Sequence, residues 1–305
     1  MGVSNAQSFT PRDWLTDRAA RGLIGLARAL PYRWRVPMMG WLMRRVVGPA
    51  TGARGRALAN LAHIWPDMPD DRAARIATAV LDNTGRTLIE NYSTAGLLSR
   101  AKSWEPSGPG LAALADARAA GRPVLLITGH FGNYEAARAA LTVRGYSIGG
   151  LYRPMNNGYF NQHYIATMKG FGGPVFPRGP KGVGGFVKHL RSGGQGVLLI
   201  DQYFAAGELL DYLGQPAPTS LSAGEMALKY DALLIPFYAQ RQANGLDFDV
   251  TLEAPVAHGD PRAMTQALND SLSARVRETP EQWFWVHRRW KPGRQARYFP
   301  KTTDA

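Results

Sequence analysis

From residue 124 onward, short apolar runs alternate with segments of helical periodicity, and this alternation leaves the chain few possible architectures. Val124 to Thr128, Ser147 to Tyr152, Gly196 to Ile200, Ala232 to Tyr238 and Phe248 to Leu252 are each the right length for a strand and too short for a stable helix. Residues 134–143, 157–170, 181–192, 219–230 and 261–278 carry the helical patterns that separate or follow them. Apolar runs joined through helices predict an α/β fold with a mixed, substantially parallel sheet flanked by helices. In such sheets functional side chains gather beyond the strand ends, and His130, Arg153 and Asp201 all follow predicted strands.

The first third of the chain has a different pattern. Residues 11–101 read as helical, with breaks expected at Pro31, Gly48-Pro49 and the Trp65-Pro66-Asp67-Met68-Pro69 loop. We therefore expect an N-terminal helical region over 1–105 and an α/β core over 106–305 that ends in a basic, aromatic segment. In the N-terminal region Trp14, Leu15, Leu23, Ile24, Leu26, Trp34, Met38 and Trp41 are interleaved with arginines, while acidic residues up to Val47 are confined to Asp13 and Asp17. Such amphipathic segments suit an anionic membrane interface, and equally suit a cap on the domain core. No apolar stretch is long enough to span a bilayer.

A formal net charge of +13 points to acidic partners: nucleic acid, an anionic membrane or an acidic protein. The chain has no cysteine, which excludes disulfides, thiolate zinc sites and cysteine nucleophiles. Six scattered histidines without an HExxH pattern give no expectation of a metal, and no organic cofactor is expected either. Neither GxSxG nor a P-loop is present, so a serine elbow and a nucleotide site of that kind are excluded.

The chemistry centres on Gly129-His130-Phe131-Gly132-Asn133-Tyr134-Glu135. On one continuous helix, positions five apart lie about 140° from one another. His130 and Glu135 can therefore meet only around a turn, for which Gly129 and Gly132 provide flexibility and Asn133 an N-cap. A carboxylate on one imidazole nitrogen would leave the other to take a proton from a hydroxyl. The alternative is an ordinary strand-end histidine beside a glutamate placed by the helix dipole.

Arg153, in Tyr152-Arg153-Pro154, and Arg178 with Lys181, on a Gly/Pro loop entering a helix, are candidate anion ligands. Asp201-Gln202 places two polar side chains at a strand terminus, to organise a site or to cap a turn. Arg288 and Arg289 lie within Trp283-Phe284-Trp285-Val286-His287-Arg288-Arg289-Trp290-Lys291, which would meet an anionic headgroup, stack on nucleic acid, or pack its tryptophans on the core.

In order along residues 10 to 295, His130-x4-Glu135, Tyr152-Arg153-Pro154, Asp201-Gln202, Gly214-Gln-Pro-Ala-Pro-Thr219 and His287-Arg288-Arg289-Trp290-Lys291 resemble the bacterial lipid A lauroyl/myristoyl acyltransferases. The resemblance implies a glycerolipid-acyltransferase-like fold. It also implies acyl transfer from an acyl carrier protein thioester to a hydroxyl of a lipid A precursor, at the cytoplasmic face of the inner membrane. On that reading His130 is the base, Glu135 orients it, and backbone N–H groups near Gly129 to Gly132 are candidate oxyanion donors. Arg153, Arg178, Lys181, Asp201, Gln202, Arg288 and Arg289 contact substrates. The implied partners are acyl carrier protein, a lipid A precursor or other anionic lipid, and an anionic membrane surface, but not nucleic acid. A glycosylated phosphoinositide or an amino-acid lipid is the alternative acceptor, and a noncatalytic nucleic-acid- or membrane-binding protein the alternative class.

Two departures bear on the acceptor. Phe176-Pro177-Arg178-Gly179 stands where phospholipid-making relatives carry Phe-Pro-Glu-Gly, and Met168-Lys169-Gly170 precedes Phe171-Gly172 where many lipid A enzymes show arginines.

Overall fold

The computed structural model describes residues 7–291. Its first part is helical: α1 (Pro11–Ala29), α2 (Tyr32–Leu42), a π-helical turn (Met43–Val47), α3 (Gly48–Ala50), α4 (Ala53–Ile64), α5 (Asp70–Asn91), α6 (Thr94–Ala101) and α7 (Gly110–Ala119). Local chemistry explains the start of α1. Thr10 accepts from the Asp13 N–H at 3.1 Å, Asp13 accepts from the Thr10 N–H at 2.9 Å, and Pro11 needs no partner at the first position.

The break expected at Gly48-Pro49 does not occur. The preceding turn widens instead, with Gly48 donating to the Met43 carbonyl, so that Pro49, which lacks an N–H, is accommodated in the helix.

The chain then alternates: β1 (Val124–Thr128), α8 (Tyr134–Thr142), β2 (Ile148–Tyr152), α9 (Gly158–Lys169), β3 (Val175–Pro177), α10 (Pro180–Arg191) and β4 (Gln195–Leu199). A hairpin of β5 (Glu208–Tyr212) and β6 (Gln215–Thr219) follows. After it come α11 (Ser222–Tyr230), β7 (Leu233–Arg241), β8 (Phe248–Leu252) and α12 (Pro261–Glu278). The main sheet has the order β3-β2-β4-β1-β7-β8, parallel except for the antiparallel edge strand β8. The expected α/β class and predominantly parallel sheet are therefore present. The helix expected over 219–230 begins at Ser222, because Gln215–Thr219 is paired in the hairpin.

Every residue of β1 is buried, which accounts for its unbroken apolar run. One sheet face packs Leu126, Val197 and Ile235 against α8, whose alanines at 136, 137, 139 and 140 permit close approach. The other packs Leu125, Ile127 and Leu234 against Phe186, Leu190 and Leu268 of α10 and α12. Side chains of this size contribute roughly 1.5–3 kcal/mol each on full burial.

The N-terminal helices pack one side onto the protein and leave large apolar side chains exposed. Ile24 and Ala27 of α1 and Val36 and Met39 of α2 enter a core with Ile89 and Tyr92. On the outer side Leu26, Trp34 and Trp41 are 74%, 56% and 51% exposed. Among the described residues, no helix is long and apolar enough to cross a membrane.

Candidate active site

His130 lies in the loop after β1, and Asp201 two residues beyond β4, the strand paired in parallel beside it. Sheet order thus brings together two residues 71 positions apart. Asp201 Oδ1 lies 2.8 Å from His130 Nδ1, and Asp201 Oδ2 accepts from the His130 backbone N–H at 2.6 Å. Trp283 Nε1 donates to the same Oδ2 at 2.8 Å. These bonds fix the carboxylate and leave imidazole Nε2 as the nitrogen available to a substrate.

Burial alone would lower the His130 pKa, but the facing Asp201 carboxylate outweighs it and raises the ring above its ordinary 6.5. Burial would likewise raise Asp201. The His130 ring, the His130 N–H and the Trp283 indole together hold it far below the carboxylate range.

The carboxylate expected on His130 was that of Glu135, and the structure places it elsewhere. Asn133 caps α8, accepting from the Glu135 and Ala136 N–H groups at 3.0 and 3.4 Å. Glu135 thereby falls in the first helical turn, where its partner is Arg138, one turn on, at 3.3 Å. Both side chains are almost wholly buried. Burial raises the Glu135 pKa, with Arg138 opposing it. Arg138 also donates to the carbonyls of Met168 and Gly172 at 3.3 and 2.6 Å. The spacing of three between Glu135 and Arg138 was the available sequence signal for this pairing.

The turn depends on two glycines. A Cβ on Gly129 would come within 3.0 Å of Asp201 Oδ2, and Gly132, at φ +53°, would place one 1.8 Å from the Ala239 carbonyl oxygen. The N–H groups of His130, Gly132 and Asn133 are donated to Asp201, Gln282 O and Ala239 O, so those of His130 and Gly132 are not available as the expected oxyanion donors.

Helix α5 supports the loop from behind. Asn83 Nδ2 and Thr87 Oγ1 donate to the Gly132 carbonyl, and Asn133 Nδ2 donates to Glu90 at 2.9 Å. Fully buried Glu90 holds Arg241 through contacts of 2.5 and 2.7 Å. Replacing Glu90 with alanine is expected to cost about 3–5 kcal/mol, because it strands a buried guanidinium. Urea unfolding measures the loss, and a change below about 1 kcal/mol would show that the pair is not structurally important.

His130, Glu135 and Arg138 line a cavity of about 560 Å³ together with Leu151, Met168, Val197, Leu199 and Met226. Arg153, Arg178 and Gln202 also line it, with Arg178 over the Phe204 ring. Lys181 is exposed in the first turn of α10 and Arg288 is exposed, and neither lines the cavity. Arg289, expected to contact substrate, is instead fully buried. It donates to Pro218 O and Thr219 Oγ1 beneath Tyr212 and secures the hairpin. The tryptophans beside it, Trp283, Trp285 and Trp290, pack into the core. His287 Nε2 accepts from the Tyr203 N–H at 3.3 Å, and burial lowers its pKa to about 4. No group of three or more potential metal ligands occurs among the described residues.

An oriented histidine thus stands at a largely apolar cavity, beyond the strand ends of a mostly parallel sheet. The chain belongs to the bacterial lipid A biosynthesis acyltransferase family, whose model matches residues 5–292. It is 23% identical to a lipid A biosynthesis acyltransferase of Haemophilus influenzae over 260 residues, covering 84% of this chain and 81% of the relative. Lipid A biosynthesis acyltransferase 2 of Shigella flexneri is 22% identical over 279 residues, 87% of this chain and 86% of its own. A phosphatidylinositol mannoside acyltransferase of Mycobacterium tuberculosis is 25% identical over 187 residues, 59% of this chain and 58% of the relative. The protein is an enzyme that transfers acyl groups to lipid acceptors.

Proposed function

We propose that the protein transfers a fatty acyl chain from an acyl carrier protein thioester to a hydroxyl of a lipid A precursor, with His130 as general base. The observation carrying this reading is the His130–Asp201 pair, which leaves Nε2 at the wall of a largely apolar cavity. The acceptor hydroxyl gives its proton to Nε2 while its oxygen bonds to the thioester carbonyl carbon. The tetrahedral intermediate then expels the thiolate by breaking the C–S bond, and the imidazolium returns the proton to sulfur. Asp201 holds the ring in the productive tautomer and stabilises the imidazolium. Glu135 and Arg138 form a charged section of the cavity wall next to the base.

Arg153 and Arg178 supply the cations for acceptor phosphates. Arg153→Ala is expected to raise the acceptor KM by about 10-fold or more, corresponding to roughly 1.5–3 kcal/mol for hydrogen bonds to a charged group, with kcat little changed. An unchanged KM would reject the assignment. The positive surface suits an acidic carrier protein and anionic lipid, and the exposed Leu26, Trp34 and Trp41 suit peripheral attachment at the cytoplasmic face of the inner membrane.

The phosphatidylinositol mannoside relative supports a second acceptor class, a glycosylated phosphoinositide. Purified enzyme offered acyl carrier protein or coenzyme A thioesters with each acceptor, the products resolved by mass spectrometry, tests both choices. A product from the phosphoinositide alone would replace the lipid A reading.

A further inference from the structure

A second cavity, of about 460 Å³, opens between α1, α2 and the start of α6, and its lining includes none of the residues around His130. Arg28 and Arg35 both line it, and no acidic residue does. Ala95 and Gly96 contribute the first turn of α6, whose N–H groups point out of the helix and whose N-cap residue Ser93 makes no side-chain cap. Such a helix start attracts anions. Ser93 is itself in the lining at 2% exposure, and its Oγ has no hydrogen-bond partner. Buried Arg35 Nε has none either.

A buried hydroxyl without a partner is unfavourable, so a ligand that accepts from Ser93 and Arg35 relieves a standing penalty. The one opposing feature is the C-terminus of α1, whose carbonyls are negative; Arg35 Nη1 already donates to Arg28 O at 3.0 Å and to Leu30 O at 3.4 Å, which offsets it. The cavity is open to solvent.

We propose that this α1–α2–α6 cavity binds the phosphate group of a phosphomonoester or phosphodiester, as carried by a lipid headgroup or as free phosphate. Binding here is separate from the acyl-transfer centre and does not depend on the identity of its acceptor. Two guanidinium groups, a helix start and a buried hydroxyl match the geometry of phosphate oxygens.

Gly25→Leu provides the test, because a Cβ at Gly25 meets nothing within 4 Å, so the new side chain can occupy the cavity without a clash. The substitution leaves the charge unchanged, favours helix over glycine, and by hydrophobicity alone would strengthen membrane binding. The full chain is titrated with inorganic phosphate by calorimetry and, separately, co-sedimented with phosphatidylcholine vesicles containing phosphatidylglycerol. Gly25→Leu is expected to reduce vesicle partitioning at least about 5-fold, because filling the cavity denies the headgroup phosphate the Arg28 and Arg35 guanidiniums, each worth about that factor near an anionic surface. Arg28→Gln should weaken it more than Arg45→Gln, which removes an exposed cation outside the cavity. Vesicle binding sensitive to Gly25→Leu without phosphate uptake identifies a headgroup; saturable phosphate uptake lost in Gly25→Leu identifies free phosphate. Partitioning and phosphate titration both indifferent to Gly25→Leu, or equal losses in Arg28→Gln and Arg45→Gln, would overturn the site and leave only diffuse attraction.

Discussion

His130→Ala is expected to lower acyl transfer by about 100- to 10,000-fold, the range that a positioned general base contributes, while the fold survives. The ring touches Tyr134 and Phe284 at centroid distances of 5.5 and 6.1 Å but is not itself deeply packed, so its removal opens little space in the core. Its loss does strip Asp201 of one partner, yet Trp283 Nε1 and the backbone N–H of residue 130 still hold that carboxylate. The variant should therefore retain its circular dichroism spectrum and cooperative melt. Turnover within about 10-fold of wild type by such a folded variant would end the base assignment and redirect attention to a substrate-assisted mechanism.

Asp201→Asn is expected to be nearly as damaging, by about 100-fold or more, because an amide no longer enforces the Nδ1–H tautomer or stabilises the imidazolium. The pH profile separates this role from a structural one. A general base works only when neutral, so kcat/KM falls as pH drops through the His130 pKa. In the wild type burial pulls that pKa down and Asp201 outweighs it, placing the acidic limb above 6.5. Removing the Asp201 charge leaves burial unopposed, and the limb should move to lower pH while the maximum rate collapses. Glu135→Gln serves as the contrast. Its carboxylate is paired with Arg138, so the variant should keep the wild-type limb. A limb that shifts in Glu135→Gln and stays fixed in Asp201→Asn would reverse the two assignments.

Much of the architecture was legible in the sequence because β1, β4 and β7 lie inside the sheet and carry apolar runs, with unbroken burial in β1 and central burial in β7. The helical spans 134–143, 157–170, 181–192 and 261–278 agree with α8, α9, α10 and α12 to within a residue or so at each end. The short strand β3 and the β5–β6 hairpin were not read. A three-residue strand has no periodicity, and Pro216 and Pro218 argue locally against a strand that the hairpin nevertheless pairs. At the site, His130 and Asp201 were each found at a strand end, but not their partnership. A spacing of five suggested the nearer carboxylate, whereas strand order, which no local pattern encodes, delivers the one 71 residues away. Arg289 was misplaced for a related reason: its burial beneath Tyr212 exists only once the hairpin has folded over it.

Helix α5 gives one consequence for how the enzyme can be divided. Asn83, Thr87 and Glu90 project from successive turns of a single 22-residue helix, and each reaches the segment Gly132-Asn133 or its Arg241 support. The opposite ends and sides of the same helix carry the packing of α2 and α4. The loop that carries His130 is thus a keystone set between two arches, and only one of them is the sheet. Separating the chain after residue 105 would leave every strand intact and remove the contacts of Asn83, Thr87 and Glu90 to Gly132, Asn133 and Arg241. The unit to keep whole in any engineering of this protein is accordingly the full span, because the N-terminal helices and the loop that carries His130 lean on one and the same helix.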